Sequence, residues 1–438
     1  MTLKPLPYQA EGARYLSGRP RALLADEMGL GKTPQAIIGA DLLGAQTITV
    51  LCPGMARGSW CEEFPRFSQF ERRVTVLWSA DDVVPRDGVV IASYSLARVE
   101  RVAKALRERA GDLLICDEAH YLKDPKSLQT KAVLGHRCNL KNCIAATHTA
   151  TWALTGTPAP NHPGELFSLF RLQEWDGTKS AFEELFCATE EQHLRLGQRV
   201  VIRKKITGAR NAPLLREWLQ FYMLRRTEAD VGAQRPPLLV DTITVEPDSG
   251  AELPRMEAAT ELELLRAADT GDWRAVEVPH IATALRMFGV AKAKGAAKLA
   301  LASAGATEKV IVFAKHRAVM EILKAELAPL NPVAFEGGMT PQAKDAARIA
   351  FQDDPNVRAV VAQITVAKEA LTLTAATHVY LVEPSWVPDD NRQAIKRAHR
   401  HGQTRPVFAH FVSLVNSADQ RVARVLAHKA QMQKEFLS

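Results

Sequence analysis

Ala22-Leu23-Leu24-Ala25-Asp26-Glu27-Met28-Gly29-Leu30-Gly31-Lys32-Thr33 starts as a short apolar run, passes through a loop with two glycines and ends on Lys-Thr; Pro34 to Leu43 then reads as a helix. Strand, glycine loop, Lys-Thr and helix in that order is what holding a triphosphate requires. Glycines let backbone N–H groups approach phosphate oxygens, the Lys32 ammonium offsets β/γ charge, and the Thr33 hydroxyl suits Mg2+. Gly29, Leu30 and Gly31 join Lys32 and Thr33 as candidate nucleotide contacts. Asp26 stands where the general pattern has its first glycine, so the loop needs support from elsewhere in the chain.

Asp117-Glu118-Ala119-His120 supplies it, directly after the apolar run Leu113-Leu114-Ile115-Cys116. Open α/β sheets bind ligands at the carboxyl ends of their strands, which is where this carboxylate pair falls. Asp117 is expected to hold Mg2+ through water, and Glu118 to orient and deprotonate the attacking water. A solvated acidic turn is the alternative for the tetrapeptide alone.

On either side of these motifs, short apolar runs alternate with amphipathic stretches, the pattern of a parallel sheet covered by helices on both faces. Strands are expected at 22–25, 47–52, 74–77, 88–92, 113–116 and 151–155, and again at 310–313, 332–335, 357–362, 378–381 and 408–411. A chain of 438 residues accommodates two such units. The boundary is expected near Gln234-Arg235-Pro236-Pro237, giving lobes at 1–235 and 236–438. The first carries a helical, basic protrusion at about 165–225, and the second a helical lead-in at about 250–305.

The net charge of +7 and pI of about 9.1 favour polyanionic partners. Residues 195–226 hold nine Lys or Arg and one acid, Glu217, a bias suited to tracking phosphates. Arg203, Lys204 and Lys205 are the better phosphate candidates, while Arg225 and Arg226, in an apolar frame, read as structural. The N-terminus lacks an apolar signal core and no stretch approaches a membrane span, so an intracellular, non-membrane protein is expected. His136, Cys138, Cys143 and His148 make a conceivable zinc set, but their spacing fits no common finger, and reduced thiols in a surface loop are preferred. Trp60 and Trp152 read as core ahead of base-stacking platforms.

Ala25 to Thr33 resembles the first helicase motif of the Swi/Snf ATPases, where an aspartate at the first loop position is normal. Leu6 to Gly12 is similar to that family's adenine-reading segment, with Gln9 as the implied base contact. Leu154-Thr155-Gly156-Thr157-Pro158, continued by Asn161 and Glu165-Leu166, resembles motif III. Val310 to Phe313 resembles motif IV, and Gln393 to Gln403 motif VI, in which Arg397 and Arg400 reach the γ-phosphate, Arg400 as arginine finger. Gly208 to Asn211, the helically spaced Leu214, Leu215, Trp218 and Leu219, and Met223 to Arg226 resemble the annealing-helicase or fork-remodelling branch, as does Ile364-Thr365 before Leu371 to Leu373.

That resemblance implies two tandem RecA-like lobes and an ATPase, with ATP and Mg2+ as cofactors, translocating on duplex or forked DNA in preference to RNA, as a monomer. Thr155, Lys315 and Thr365 join the basic residues as implied DNA contacts. It extends from Leu3 to about Leu426, as in bare motors of bacteria and phages. Lys368-Glu369-Ala370 departs from it, because the family's motif V usually has glycine there, where the backbone approaches ligand and DNA closely. A strand-separating helicase, an RNA-dependent ATPase and a nucleotide-dependent clamp with little turnover are the rival readings.

Overall fold

Strands whose residues are apolar without interruption need cover on both faces, and a parallel sheet flanked by helices provides it. The computed structural model describes residues 4–159, 162–173, 175–196, 199–232, 236–249, 279–305, 307–366, 372–385, 388–400 and 402–431. These divide into Met1–Ala233 and Gln234–Ser438.

In the first unit, β1 (Arg21–Leu24), β2 (Ile48–Cys52), β3 (Val74–Val76), β4 (Val89–Ser93), β5 (Gly111–Asp117), β6 (His148–Leu154) and β9 (Met223–Leu224) form one sheet ordered β3-β4-β2-β5-β6-β1-β9. Every pairing in it is parallel. All residues of β2 and β4 are buried. The helices α1 (Pro7–Ser17), α2 (Lys32–Leu43) and α3 (Ala56–Phe67) belong to this unit. The order β5-β6-β1 is the one that matters for chemistry. It brings the carboxyl ends of β1 and β5 to either side of the end of β6.

In the second unit, β10 (Leu238–Val245), β11 (Lys309–Ala314), β12 (Val333–Phe335), β13 (Ala359–Gln363), β14 (Ala376–Leu381) and β15 (Val407–Leu414) form a parallel sheet ordered β10-β15-β14-β11-β13-β12. Alanines of the helix Pro279–Ala304 pack on Val310, Val312, Tyr380 and Val412. Small side chains let a helix lie close against a sheet of β-branched residues. Two parallel sheets with flanking helices are the expected tandem RecA-like architecture.

Several expectations are corrected. The stretch 165–225 is not wholly helical. Helices run over Phe167–Leu172, Lys179–Phe186 and Ala212–Tyr222, but between them β7 (Cys187–Leu196) and β8 (Arg199–Ala209) form a separate antiparallel hairpin. Val200, Val201, Ile202 and Thr207 favour a pleated strand over a helix, a local signal obscured by the helical periodicity on both flanks. Strands β9 and β10 have no counterpart among the expected strands. Cys138 and Cys143 do not lie in a surface loop: both are fully buried in the core, and Cys138 approaches the Ser168 hydroxyl. His148 spends both ring nitrogens on Ile144 O and Thr49 Oγ1, so this set is built as packing. Trp60 and Trp152 are core. Within the helical lead-in, 250–278 lies outside the described residues, as do Asn161, Gln234, Arg235 and Lys368 to Leu371. Among the described residues no helix is long and apolar enough to cross a membrane.

Candidate active site

The loop after β1 turns through Gly29 (φ 88°) and Gly31 (φ 69°), backbone conformations that favour glycine. Gly31 is the N-cap of α2, so the first free N–H groups of the helix lie at the loop. Leu30, between the two glycines, is fully buried. Thr33, half-buried, lies in the first helical turn. Lys32 Nζ donates to the Asp26 carbonyl at 2.8 Å and the Glu27 carbonyl at 3.4 Å, which holds the ammonium inside the loop's curve.

Gln9, on α1, is 2% exposed. Its Oε1 accepts from Leu6 N at 3.0 Å, while its Nε2 is buried with no hydrogen-bond partner. A Cβ on Gly31 would collide with that Nε2, so the unused amide donor lies directly against the loop. A buried donor without a partner costs about 1–3 kcal/mol, which a nucleobase acceptor would recover. The adenine role implied for Gln9 fits this geometry.

Asp117 ends β5 and is held from three sides. Its Oδ2 accepts from the Trp60 indole Nε1 at 2.8 Å, its Oδ1 from Glu118 N at 3.0 Å, and its carbonyl from the Tyr94 hydroxyl at 2.8 Å. Burial, reinforced by the neighbouring Glu118 carboxylate, pushes its pKa up to about 6, against the opposing pull of Lys32. Glu118 adopts φ 48°, ψ 51°, a conformation costly for a residue with a Cβ. His120 Nδ1 lies 3.3 Å from Glu118 Oε2 and 3.2 Å from Thr155 Oγ1. The Thr33 hydroxyl and the Asp117 carboxylate are hard oxygen donors of the kind Mg2+ takes, so the residues present fit that ion.

Thr155 and Gly156 follow β6, between these two groups. Thr155 is fully buried, and its hydroxyl also accepts from Thr157 N. It therefore links β6 to His120 and, in this structure, presents no exposed surface. A Cβ on Gly156 would meet Met28 Cγ at 2.7 Å, Met28 N at 3.2 Å and Lys32 Nζ at 3.4 Å. Glycine lets the end of β6 touch the phosphate loop directly.

In the second unit, Lys315 and Thr365 are exposed and follow the adjacent strands β11 and β13. Glu383 Oε2 accepts from Lys315 N at 2.8 Å and His316 N at 2.9 Å, and its Oε1 lies 2.6 Å from His316 Nδ1. The helix Pro388–Ile395 stops before the two arginines, which sit in turns and not on a continuous basic helix. Arg397 is 8% exposed. Arg400 NH1 donates to Thr372 Oγ1 at 2.8 Å, joining motif VI to the end of motif V.

The side chains of Arg203, Lys204 and Lys205 lie outside the described set, but their strand register is defined. Lys205 stands opposite Glu190, Lys204 opposite Glu191 and Arg203 opposite Gln192. Arg195 stands opposite Val200 and Arg199 opposite Leu196. Sequence reading misses Trp60 as a brace for Asp117, because nothing local links an indole on α3 to a carboxylate on β5. Gly156 carries a findable signal, a glycine at the carboxyl end of a strand reading.

The chain matches the SNF2-related domain over residues 8–253 and the helicase conserved C-terminal domain over 292–402. It is 28% identical over 445 residues to the mouse DNA annealing helicase and endonuclease ZRANB3, covering 98% of this chain and 40% of that protein. It is 28% identical over 440 residues to a Caenorhabditis elegans homolog of SWI/SNF-related matrix-associated actin-dependent regulator of chromatin subfamily A-like protein 1, covering 97% and 60%. The chain thus spans 40% to 60% of the length of these relatives. Among solved structures, the Sulfolobus solfataricus SWI2/SNF2 ATPase core in complex with dsDNA aligns with 98% of this chain and 92% of its own, at 21% identity and a TM-score of 0.45. Since the SNF2-related match alone takes in more than half of the chain, the protein belongs to the SNF2-related family of helicase-like ATPases.

Proposed function

We propose that the protein is a Mg2+-dependent, DNA-stimulated ATPase that moves along duplex DNA inside the cell and acts on forked or branched substrates. The observation that carries the nucleotide half of this reading is the unpartnered Gln9 Nε2 lying against Gly31. The DNA half is supported by the net charge of +7, by a strand register that sets Arg195, Arg199 and Arg203 opposite uncharged residue types, and by likeness to a DNA annealing helicase.

In this reading Gln9 selects the base, and the loop N–H groups with Lys32 take the phosphates. Thr33 and Asp117 would hold Mg2+, which when bound neutralises charge on the β/γ oxygens. Glu118, held in a left-handed conformation beside His120, orients the attacking water and accepts its proton. Arg397 and Arg400 complete the charge around the γ-phosphate. Lys315 and Thr365 contact the DNA backbone. A motor that tracks phosphates needs little base readout.

Steady-state phosphate release, measured without nucleic acid and with single-stranded, duplex and forked DNA and RNA, tests the reading. Duplex and forked DNA should raise turnover strongly at low salt and less at moderate salt. Equal turnover under all conditions would eliminate the motor. Tight nucleotide-dependent DNA binding with negligible turnover would favour the clamp.

A further inference from the structure

Asp26, the residue that breaks the general P-loop pattern, is fully buried. A buried carboxylate needs a partner, and this one has Arg226, 200 residues along the chain. Arg226 Nε donates to Asp26 Oδ1 at 3.1 Å and NH2 to Oδ2 at 2.6 Å, the planar fork that arginine offers and lysine does not. The same guanidinium donates to Tyr8 O at 2.7 Å, beside the base-reading Gln9, and to Gln35 Oε1 on α2 at 2.9 Å. Gln35 Nε2 returns to Asp26 Oδ2 at 3.0 Å and to Leu30 O at 3.1 Å. A Cβ on Gly12 would collide with Gln35 Oε1 and meet Arg226 NH2 at 2.9 Å, so glycine at that point of α1 makes room for the network.

The backbone repeats the connection. Ala25 N donates to Leu224 O at 2.7 Å and Glu27 N to Arg226 O at 2.8 Å, carrying the β1–β9 pairing into the phosphate loop itself. Glu228 N donates to Glu27 Oε2 at 3.1 Å. The carbonyl of Asp26 is the one that receives Lys32 Nζ. One unbroken path therefore runs from Arg226 through Asp26 to the ammonium that meets the β/γ phosphates. Arg226 lies on the segment leading out of the first unit, which ends at Ala233.

We propose that Arg226 is a positioning residue for the nucleotide: it sets the shape of the loop 26–32 that presents Lys32, and it makes the segment 223–232 respond to what that loop holds. The proposal rests on the nucleotide reading above and goes beyond it by assigning a readout path. A purely structural ion pair would change stability alone.

The test measures amide hydrogen exchange across 223–232 with and without AMP-PNP, in wild type and in Arg226→Lys, alongside AMP-PNP affinity by equilibrium binding. In wild type, AMP-PNP should slow exchange in 223–232. Arg226→Lys keeps the charge but loses the fork, so it should bind AMP-PNP at least about tenfold more weakly and leave the segment unresponsive. Wild-type exchange in 223–232 that ignores bound AMP-PNP overturns the proposal without recourse to any variant. So does a folded Arg226→Lys with wild-type affinity. Wild-type protein that binds no AMP-PNP would instead overturn the proposed function on which this coupling stands.

Discussion

The Trp60 indole N–H, on α3, donates to Asp117 Oδ2 at the end of β5 across 2.8 Å, 57 residues apart in sequence. With Glu118 N on the other oxygen, both carboxylate oxygens are oriented before any cation arrives. Partners that orient a metal-binding carboxylate are worth about 10- to 100-fold in metal affinity. Trp60→Phe, which keeps an aromatic ring and removes the donor, should raise the Mg2+ concentration for half-maximal turnover by that factor. The rate at saturating Mg2+ should fall less. Mn2+ binding followed by electron paramagnetic resonance checks the effect apart from turnover, and unchanged binding would refute it.

Glu118 and Lys32 separate chemistry from binding. Glu118→Gln should keep nucleotide affinity and lose about 10²- to 10⁴-fold in turnover, the range for a general base. Lys32→Ala should lose both, because the β/γ charge loses its fixed counter-charge. Wild-type turnover in Glu118→Gln would reassign the catalytic carboxylate.

Arg400 belongs to the second unit and Lys32 to the first. Arg400→Ala should lower single-turnover hydrolysis by about 10³- to 10⁵-fold at saturating DNA, with a much smaller change in nucleotide affinity. Arg400→Lys should rescue poorly, since it lacks the planar fork. Near-normal hydrolysis in both Arg397→Ala and Arg400→Ala would remove these residues from the reaction.

The hairpin register ranks its basic residues. Replacing Arg195, Arg199 and Arg203 together by alanine should reduce the slope of log affinity for duplex DNA against log salt by about 0.9 for each phosphate no longer neutralised. Lys204 and Lys205, opposite Glu191 and Glu190, should change it less. The reverse ranking in a salt titration would show that the register does not govern how the hairpin meets DNA.

His148 makes the stability of the first unit pH-dependent. Its Nδ1–H donates to Ile144 O, and its Nε2 accepts from the Thr49 hydroxyl, whose oxygen takes a hydrogen bond from Arg109. Burial pushes its pKa down from 6.5 to about 4. The neutral ring is the folded form, so its stabilising effect is complete above pH 6.5 and is lost as the pH falls through about 4. The amount is on the order of 3 kcal/mol. The stability difference between wild type and His148→Gln, from urea unfolding, should shrink as the pH falls from 6.5 to 4. A pH-independent difference would contradict it.

Local pattern is enough for much of this protein. Buried parallel strands announce themselves as unbroken apolar runs such as Val310 to Phe313, and the phosphate loop and the carboxylates at 117 and 118 depend on residues adjacent in sequence. The two-sheet architecture is therefore legible without coordinates, and the candidate nucleotide residues can be named from the same local pattern. The hairpin at 187–209 is not, because its β-branched residues sit between strongly periodic helices and its pairing depends on a partner strand.

Long-range partners are out of reach for the same reason. Resemblance makes Asp26 an ordinary residue of its loop, but only the fold brings Arg226 to it, and Trp60 reads as plain core until its N–H meets Asp117. Resemblance groups Thr155 with DNA contacts, yet the order β5-β6-β1 buries it against His120. Residue type and spacing determine which groups can do the chemistry. Which of them hold one another in place is decided by strand order and by hydrogen bonds that only tertiary folding can close, since a buried charge or donor finds its partner through space and not along the chain.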